Sequence, residues 1–539
     1  MWNISKPLNE SDRIFSYSPG SLERQSLVEA LEKISSQAPY RIPLIIGGRE
    51  VWTENEMELR CPHDHSLILA RCSLAGEREI ELAIETSLHA WKTWSVFPWS
   101  HRSAIFQKAA DLLANNYRYR NIAAIMMNLS KNPYEAEIDL AELVDFWRYN
   151  SFYLNQIYSL QPEQGNHEFN RFDWRPLEGP VLAVSPFNFY SIGGNLPTAP
   201  AICGNVVLWK PSSSALFSNF EIISLLQEAG LPPGVINFIP FSSSLSGKIF
   251  QDPFFSGLHF TGSYDTFINL QKEIARNMSS YRSFPRVVGE TGGKDFVMIH
   301  ASADPQEAAT GIIRGGFGYQ GQKCSAASRV YASESLWDDI FHIIKGEWPR
   351  ITVGPVNDLD NYMGAVISEE SFRKVTSYIE YAAKSPDAEI LIGGGYDDRR
   401  GWFIEPTVIE TKDPDSPLLR EEIFGPVVTV YVYRDVDFEK TLQICDKTTR
   451  YALTGSIFAD NREAICQAER ILRFAAGNFY INDKPTGAIV GRQPFGGSRH
   501  SGTNDKAGFY GNLMRWLSPR NIKETTLPPD QWGRPFMGG

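Results

Sequence analysis

The sequence predicts an α/β protein with two Rossmann-like lobes, each built on a parallel β-sheet that is covered by helices. Two regions support this prediction, because short β-rich runs alternate with helical segments in both of them. The first region begins near residue 180, and the second follows Gly293. At 539 residues the chain is also too long for one small core. We therefore expect two α/β lobes that are joined near residue 291.

The part of the chain before these regions is predicted to be helical. Apolar residues recur at the spacing of one helix face in two stretches, namely Ile80, Ile84, Leu88 and Trp91, then Ile105, Ala109 and Leu112. A third helix is predicted around residues 136–150, where further apolar side chains are available for packing.

In the first alternating region, β-rich runs predict strands at residues 181–184, 206–209, 235–239 and 258–260, with a helix at 218–228. In the second region, Asp304-Pro305 predicts the start of a helix. Aspartate is a good N-cap, and proline is tolerated at the first helical position. Further strands are predicted at 329–331, 427–431 and 477–481.

Composition excludes several classes of partner. The net charge is −11, which disfavours nucleic acid and anionic membranes, because both select basic patches. Six cysteines show neither metal-ligand spacing nor disulfide density, so we expect no metal site and a reducing compartment. No run of about 18 apolar residues is present. The N-terminus lacks an apolar signal core and carries Glu10 and Asp12, which favours a cytoplasmic protein.

Cys324 follows a glycine-rich stretch that begins at Gly315. An isolated cysteine is more often a buried structural thiol, but glycines allow substrate and cofactor to approach the backbone. We expect Lys323 to favour the thiolate electrostatically. Glu290 lies among small residues, where partial burial would raise its pKa towards that of a general base. The alternative for Glu290 is a solvated loop carboxylate.

Two further segments follow predicted strands. Asn188 could donate its amide to a developing oxyanion, as could the Cys324 N–H, although a simple turn is an equal alternative. Gly262-Ser263 opens towards a helix N-terminus, which favours a phosphate. Residues 316–321 match G-x-G-x-x-G literally, but they follow a predicted helix and lead into a cysteine. We therefore do not interpret them as a dinucleotide site.

Together these segments resemble the NAD(P)-dependent aldehyde dehydrogenase superfamily. The segments that carry the resemblance, in chain order, are Asn188, Lys210 within 209–212, Gly262-Ser263, 290–294, 321–324 and 422–426. The likeness spans nearly the whole chain. Residues 185–196, 477–484 and 493–506 resemble a narrower group, which oxidises L-glutamate γ-semialdehyde, the open form of 1-pyrroline-5-carboxylate, in proline degradation.

The resemblance implies a role for each catalytic residue. Cys324 would attack the aldehyde, Asn188 and the Cys324 N–H would hold the oxyanion, and Glu290 would activate water to hydrolyse the thioester. For the substrate, the resemblance implies an anion pocket at Gly487 and Ala488 with Ser325 beside it. Phe189 and Phe495 would enclose the aliphatic stem. Glu142 would lie near the amino group or the catalytic centre.

The resemblance also implies NAD as the cofactor. It places Lys210 on the adenosine ribose and Glu422 on the nicotinamide ribose, and it adds Ser185 and Phe424 to the cofactor site. The pyrophosphate would lie by the segment Gly262, Ser263, Tyr264, Asp265 and Thr266. Many NAD-selective relatives have glutamate three residues after the lysine, where this chain has Ser213. NADP is therefore not excluded.

The resemblance implies three units and a small-molecule substrate. Residues 1–165 and 182–291 would form the NAD(P)-binding domain, and residues 292–509 the catalytic domain. Residues 166–181 and 510–530 would form a β-arm that pairs subunits into a homodimer or a higher oligomer. Functional coupling to a proline dehydrogenase is a further expectation.

Other functions remain open at this point. The chain could be an aldehyde or semialdehyde dehydrogenase of a different substrate range, or a catalytically silent scaffold of the same fold. A coenzyme-A-acylating dehydrogenase would not need Glu290 as a base. A cofactor-free cysteine hydrolase would need a histidine partner for Cys324, and nothing marks one of the nine histidines for this role.

Overall fold

Two seven-stranded sheets organise the chain, and the computed structural model describes them within residues 4–537. The helices of this part are α1 (Leu22–Gln37), α2 (Glu77–Trp94), α3 (Trp99–Ala114), α4 (Arg118–Leu129), α5 (Pro133–Ser159), α6 (Tyr190–Ile202), α7 (Leu216–Ala229), α8 (Gly247–Phe250), α9 (Tyr264–Arg276), α10 (Pro305–Phe317), α11 (Glu334–Glu347), α12 (Glu369–Lys384), α13 (Pro417–Arg420), α14 (Phe438–Thr448), α15 (Arg462–Ile471) and α16 (Tyr510–Arg515).

The strands are β1 (Tyr40–Ile42), β2 (Leu44–Ile46), β3 (Arg49–Val51), β4 (Glu56–Cys61), β5 (Asp64–Ser73), β6 (Glu168–Arg175), β7 (Pro180–Val184), β8 (Val206–Lys210), β9 (Ile236–Phe238), β10 (Gly257–Thr261), β11 (Arg286–Glu290), β12 (Asp295–Ile299), β13 (Ala327–Ser333), β14 (Ala388–Ile392), β15 (Tyr396–Asp397), β16 (Phe403–Ile404), β17 (Thr407–Thr411), β18 (Val427–Tyr433), β19 (Tyr451–Ala452), β20 (Thr454–Phe458), β21 (Asn478–Ile481), β22 (Ser498–Arg499) and β23 (Ser518–Thr525).

The first large sheet has the strand order β11-β10-β7-β8-β9-β2-β3. Strands β7 to β11 are parallel, and β2 and β3 extend the sheet in antiparallel pairing. The chain builds outward from β7 through β8 and β9, then returns to the other side of β7 for β10 and β11. This reversal creates a switch point between β7 and β10, as in Rossmann folds.

The second large sheet has the order β14-β17-β18-β13-β12-β20-β21. All neighbouring strands are parallel except the edge strand β14, which is antiparallel to β17. Its central strands consist almost entirely of buried residues, as parallel strands covered on both faces do. The two-lobed α/β prediction is confirmed.

A two-stranded sheet pairs with neither of the two large sheets. Strand β6 pairs antiparallel with β23 over eight residue pairs, from Ser518 opposite Arg175 to Thr525 opposite Glu168. Most of the side chains of β23 are exposed. A long exposed ribbon of this kind leaves unpaired backbone groups on its outer edges.

The helix at residue 305 follows the local prediction closely. The Asp304 side chain accepts a hydrogen bond from the Glu307 N–H at 2.9 Å, and Pro305 occupies the first helical position. In α2, the predicted face is buried at Ile80 and Ile84.

The prediction for the first part of the chain is wrong in two respects. Helix α3 buries Phe106 and Leu113, whereas the predicted Ile105 and Leu112 are only half-buried. The predicted helical region also contains five strands between residues 40 and 73. Three of them have only three residues, which is too short for a period of two to be recognised.

No helix within residues 4–537 is both long enough and apolar enough to cross a membrane.

Candidate active site

The predicted site residues of the first lobe meet at one edge of its sheet. Ser185 follows β7, Lys210 ends β8, Gly262 follows β10 and Glu290 ends β11. Because these four strands are parallel, their carboxyl ends lie at the same edge. Local sequence patterns alone could not show this convergence.

The Cys324 loop of the second lobe connects α10 to β13. A short 3₁₀ turn, Gly318–Gly321, precedes the cysteine, and Gly321 has a φ of 65°. A Cβ atom at Gly321 would lie 2.1 Å from the Gly425 carbonyl oxygen, so this close approach requires glycine. The G-x-G-x-x-G match therefore lies after a helix and before a strand, which is not the arrangement of a dinucleotide fingerprint.

The expectation that Lys323 favours a thiolate is wrong. The Lys323 ammonium forms a buried ion pair with Glu135 at 2.8 Å, so the Glu135 carboxylate compensates the lysine charge. Burial raises the pKa of the Cys324 thiol well above its usual value, and the carboxylates of Glu290, Asp295 and Glu422 raise it further. A thiol whose pKa is raised above its usual alkaline value stays protonated at neutral pH.

Glu290 has the raised pKa that its sequence surroundings suggested. Burial raises the pKa of its carboxyl well above the usual value, against the smaller opposing effects of the Gly497 N–H and Lys506. The Gly497 N–H donates to Glu290 Oε1 at 2.9 Å. A carboxylate whose pKa is raised by burial is a better proton acceptor than a solvated one, which suits a general base.

These pKa shifts predict slow alkylation of Cys324 by iodoacetamide at neutral pH, because the thiolate is the reactive form. The rate should rise as the pH increases through the alkaline range. Glu290→Gln should shift the rise in alkylation rate to lower pH, because it removes one of the carboxylates that raise the pKa of the Cys324 thiol. Mass spectrometry of the Cys324 peptide measures the rate, with the exposed Cys466 as a reference in the same sample. Rapid alkylation of Cys324 that does not vary with pH would contradict the prediction.

Asn188 lies against the backbone of the Cys324 loop. Its side-chain amide is buried, and Nδ2 donates to the Gln322 carbonyl oxygen at 3.0 Å. An amide nitrogen carries two hydrogens, so the same group has one more to donate. The structure thus brings Asn188 to Gln322, two residues before Cys324, across 134 residues of sequence.

The predicted substrate-carboxylate residues also meet. Ser325 Oγ donates to Thr486 Oγ1 at 2.9 Å, and Thr486 directly precedes Gly487 and Ala488. Gly487 has a φ of 96°, and a Cβ atom there would lie 3.2 Å from Lys484 Nζ. Sequence reasoning did not assign Thr486 or Lys484. Their proximity in sequence to Gly487 was the available signal.

Phe189 and Phe495, the two aromatic residues predicted to enclose the substrate stem, come from different lobes. Phe189 directly precedes α6, and its ring meets Tyr319 edge-to-face at 6.4 Å. Phe495 is held through its backbone, which exchanges hydrogen bonds with Ala507 at 3.1 and 2.8 Å. Both side chains are half-buried.

Glu142 lies on α5, where its Oε2 accepts a hydrogen bond from Ser191 Oγ at 2.6 Å. Burial raises the pKa of this carboxyl to about 7. The structure therefore places Glu142 at the first turn of α6, directly after Phe189.

A buried ion pair that no sequence pattern indicated lies behind Phe189. Lys131 Nζ contacts Asp139 Oδ2 at 2.7 Å, and neither side chain is exposed. The same ammonium lies 4.2 Å from the Phe189 ring centre and 4.3 Å from that of Tyr319. Asp139 also accepts the backbone N–H groups of Tyr190 and residue 191, each at 2.9 Å. The pair therefore fixes the start of α6 and both aromatic rings.

Lys131→Met is expected to lower the free energy of unfolding by about 3–5 kcal/mol, because it leaves the Asp139 carboxylate buried without its cation. Chemical denaturation measures the change. Lys384→Met is the matched control, since its partner Glu380 is an exposed surface carboxylate at 3.5 Å, and no measurable change is expected. Equal stability of Lys131→Met and the parent would contradict the structural role of the pair.

The residues expected to hold the dinucleotide phosphates form a helix start. Ser263 is the N-cap of α9, and its Oγ accepts from the Thr266 N–H at 3.3 Å. Tyr264 stacks on His500 with ring centres 4.7 Å apart, and Asp265 is exposed in the first turn. Gly262 closes the preceding strand, with its N–H donating to the Glu290 carbonyl oxygen at 3.1 Å.

The remaining cofactor candidates lie on both sides of the cleft. Lys210 is half-buried, its ammonium lies 5.5 Å from the Phe241 ring centre, and burial lowers its pKa. Ser185 Oγ accepts from Trp209 Nε1 at 2.9 Å, which leaves its O–H hydrogen to donate.

In the second lobe, Glu422 Oε1 accepts from the Gly293 N–H at 3.0 Å, and Phe424 meets Phe187 edge-to-face. Glu422 and Phe424 therefore lie at the junction of the lobes. Within residues 4–537, no group of three or more histidine, cysteine, aspartate or glutamate side chains is arranged to hold a metal ion.

The chain belongs to the aldehyde dehydrogenase family, whose sequence model matches residues 51–522. The delta-1-pyrroline-5-carboxylate dehydrogenase of Agaricus bisporus is 49% identical over 521 residues, which cover 96% of this chain and 95% of the relative. The mitochondrial delta-1-pyrroline-5-carboxylate dehydrogenase of Dictyostelium discoideum is 48% identical over 99% of this chain and 96% of its own.

Solved structures agree with the sequence comparison. The Delta-pyrroline-5-carboxylate dehydrogenase from Mycobacterium tuberculosis bound with NAD has a TM-score of 0.95 and 44% sequence identity. The alignment covers 100% of this chain and 99% of the other.

The geometry fits a bound dinucleotide. The switch point between β7 and β10 opens at the carboxyl edge of the sheet, where open α/β sheets bind their ligands. The start of α9 presents backbone N–H groups at this edge, which suits a pyrophosphate. Lys210 ends β8 on the other side of β7, and it makes no ion pair within the described residues.

Proposed function

We propose that this enzyme oxidises L-glutamate γ-semialdehyde, the open form of 1-pyrroline-5-carboxylate, to L-glutamate with NAD as the acceptor. The observation that carries the proposal is the set of groups that meet at the Cys324 loop. The Glu290 carboxylate acts electrostatically on the Cys324 thiol, Asn188 donates to the Gln322 carbonyl oxygen, and Ser325 donates to Thr486 beside the proposed anion pocket. The named relatives act on the same substrate and cover nearly the whole chain.

In the first chemical step, Cys324 Sγ forms a bond to the aldehyde carbon, and the thiol proton leaves for the Glu290 carboxylate. The carbonyl oxygen becomes an oxyanion. The Asn188 amide and the Cys324 backbone N–H donate hydrogen bonds to it, and preorganised donors of this kind stabilise the transition state. The raised pKa of the thiol makes a base necessary for this step.

Bound NAD would serve as the two-electron acceptor, and the hemithioacetal on Cys324 would thereby become a thioester. Lys210, the start of α9 and Glu422 would hold the cofactor. Glu290 releases the thiol proton to solvent and then takes a proton from a water molecule, whose oxygen attacks the thioester carbonyl. The carbon–sulfur bond breaks, the sulfur regains a proton, and the product leaves with a new carboxylate.

Selectivity for an amino-acid aldehyde arises at the other end of the substrate. The N–H groups at Gly487 and Ala488 and the hydroxyl pair Ser325–Thr486 would bind the α-carboxylate, with the Lys484 cation beside them. Ala488 lacks the hydroxyl that some relatives carry. Phe189 and Phe495 would pack on the aliphatic stem, and Glu142 is the candidate partner for the amino group.

A substrate panel tests this function. Formation of reduced nicotinamide should be fastest with 1-pyrroline-5-carboxylate and much slower with succinate semialdehyde and unsubstituted aliphatic aldehydes, which lack the amino-acid end. Coenzyme A should not accelerate turnover, because Glu290 directs the acyl group to water. Equal kcat/KM for an unsubstituted aldehyde would refute the substrate assignment but leave the reaction class intact.

Ser213→Glu is expected to lower turnover with NADP at least about tenfold and to preserve turnover with NAD. Ser213 is exposed at the start of the short turn that follows β8 and Lys210. A carboxylate there would repel a 2′-phosphate and accept a hydrogen bond from a 2′-hydroxyl. Parallel kcat/KM measurements with both cofactors check this, with the exposed Ser377→Glu on α12 as control. If the ratio of kcat/KM with NADP to kcat/KM with NAD does not change, Ser213 does not contact the adenosine ribose.

The β6–β23 ribbon supports a proposal of self-assembly. We infer that it pairs subunits into at least a homodimer, because its exposed edges offer strand-pairing groups to a second copy. Light scattering should give at least twice the monomer mass. A chain that ends at Leu517 should shift towards the monomer, and an unchanged mass would place the interface elsewhere.

The same proposal extends to the cell. Proline dehydrogenase produces the precursor of this substrate, so functional coupling to such an enzyme is expected. In a mixture of both enzymes supplied with proline, NADH forms after a lag. A lag shorter than the one expected for free diffusion of the intermediate would support direct transfer.

A cytoplasmic location remains our expectation, whereas the Dictyostelium relative is named as mitochondrial. Imaging of a tagged full chain tests it.

A further inference from the structure

Lys506 occupies a position that the proposed chemistry does not use. Its ammonium donates to three oxygens, namely Gly477 O at 2.8 Å, Gly496 O at 3.0 Å and Asn478 Oδ1 at 3.2 Å. The residue is half-buried, and its φ of 57° lies in the left-handed region that residues other than glycine rarely adopt. Lys506 thus joins the start of β21 to residue 496.

The segment that Lys506 holds also binds the carboxyl group of Glu290. The Gly497 N–H donates to Glu290 Oε1 at 2.9 Å. A Cβ atom at Gly497 would lie 3.1 Å from that oxygen and 2.5 Å from the Ser501 Cβ, so the approach depends on glycine. The preceding Gly496 N–H donates to Asn478 Oδ1 at 3.4 Å, which is a second link to the same corner.

Residues 495–507 form a hairpin that also fixes the backbone of Glu290. Its ends are joined by the two hydrogen bonds between Phe495 and Ala507. On the first-lobe side, the Thr291 N–H donates to the carbonyl of residue 501, and the Thr503 N–H donates to the carbonyl of residue 289, both at 2.8 Å. The 495–507 hairpin therefore holds both the backbone and the carboxylate of the base.

Lys506 also contributes a positive charge to the groups that shift the pKa of Glu290. Its positive charge lowers the pKa of Glu290, whereas burial and the carboxylates of Asp505 and Asp295 raise it. Glu290 in turn raises the pKa of the Cys324 thiol. Removing the lysine charge would thus leave Glu290 facing two carboxylates and a thiol.

We propose that Lys506 is a positioning residue for thioester hydrolysis, which anchors the 495–507 hairpin so that Gly497 holds Glu290, and which supplies the positive charge beside this base. The inference rests on the proposed function, in which Glu290 activates water. Lys506 acts through Glu290 and the hairpin.

Lys506→Met tests the inference by rapid mixing. The burst of reduced nicotinamide, which reports formation of the thioester, should keep its amplitude. The later steady-state rate, which reports hydrolysis, should fall about tenfold, which is part of the roughly 10²- to 10⁴-fold that general base catalysis contributes. The increase of this rate with pH should also move to higher pH, because loss of the cation raises the pKa of Glu290. A purely structural role would not move the pH profile.

Two further variants separate charge from geometry. Lys506→Arg should retain the pH profile of the parent but lose rate, because a planar guanidinium does not reproduce the three acceptor contacts. Asn478→Ala should also lose rate without a shift in pH profile. These two variants decide the question if Lys506→Met does not fold. Lys440→Met, an exposed lysine on α14, is the control and should match the parent.

The outcomes distinguish this inference from the proposed function. A Lys506→Met enzyme with the rate and pH profile of the parent overturns the inference, as does full activity of both Lys506→Arg and Asn478→Ala. Glu290→Gln is measured in parallel. If Glu290→Gln hydrolyses the thioester at the parental rate, the base assignment fails. If only Glu290→Gln is slow, the base assignment stands and the role of Lys506 fails.

Discussion

Cys324→Ala is expected to reduce turnover by at least about 10⁴-fold, because no covalent intermediate can form without the sulfur. The six cysteines include no second thiol at the site: four others are buried and Cys466 is exposed. Steady-state formation of reduced nicotinamide from 1-pyrroline-5-carboxylate measures the loss. The burst should disappear together with the steady-state rate, since acylation is the step that fails.

The control for this variant is Cys466→Ala, which removes an exposed thiol on α15 and should leave activity unchanged. Cofactor binding to Cys324→Ala, followed by protein fluorescence, should also match the parent, because the proposed dinucleotide contacts do not include the Cys324 sulfur. Residual turnover within about tenfold of the parent would exclude covalent catalysis by Cys324.

Glu290→Gln is expected to separate the two halves of the reaction. Glutamine keeps the shape of the side chain and its contact with the Gly497 N–H, but it cannot take a proton from water. Reduced nicotinamide should appear in a burst of about one equivalent per site, and hydrolysis should then be slower by about 10²- to 10⁴-fold. Stopped-flow absorbance resolves both phases.

Mass spectrometry of the quenched Glu290→Gln enzyme should show an acyl group on the Cys324 peptide. The burst itself should be slower than in the parent wherever the thiol remains protonated, because Glu290 also accepts the thiol proton. A steady-state rate equal to that of the parent would remove Glu290 from the role of base. A missing burst with intact cofactor binding would instead assign Glu290 to acylation alone.

Local signals in the sequence predicted much of the fold. The Asp304-Pro305 pair marks the start of α10 because an N-cap acts within one helical turn. Helix α3 shows the limit of such signals. Ile105 and Phe106 are both apolar, as are Leu112 and Leu113, so periodicity cannot decide which of the two adjacent faces is buried.

Contacts between distant segments could not be predicted from the pattern. Lys323 meets Glu135 across 188 residues, and nothing near Lys323 in sequence indicates that its charge is already neutralised. The Lys131–Asp139 pair spans only eight residues, but its significance depends on Phe189 and Tyr319, which packing brings around it. The cysteine and the glutamate were identifiable because glycine-rich surroundings accompany them in sequence.

The hydrogen bonds between Glu290 and the 495–507 hairpin join the two lobes at the proposed base. Glu290 belongs to the first lobe through β11, but its carboxylate and flanking backbone are bound by the second lobe. Any movement of one lobe relative to the other would strain these bonds and displace the carboxylate. The second half of the proposed reaction therefore depends on a contact between the lobes and not on either lobe alone.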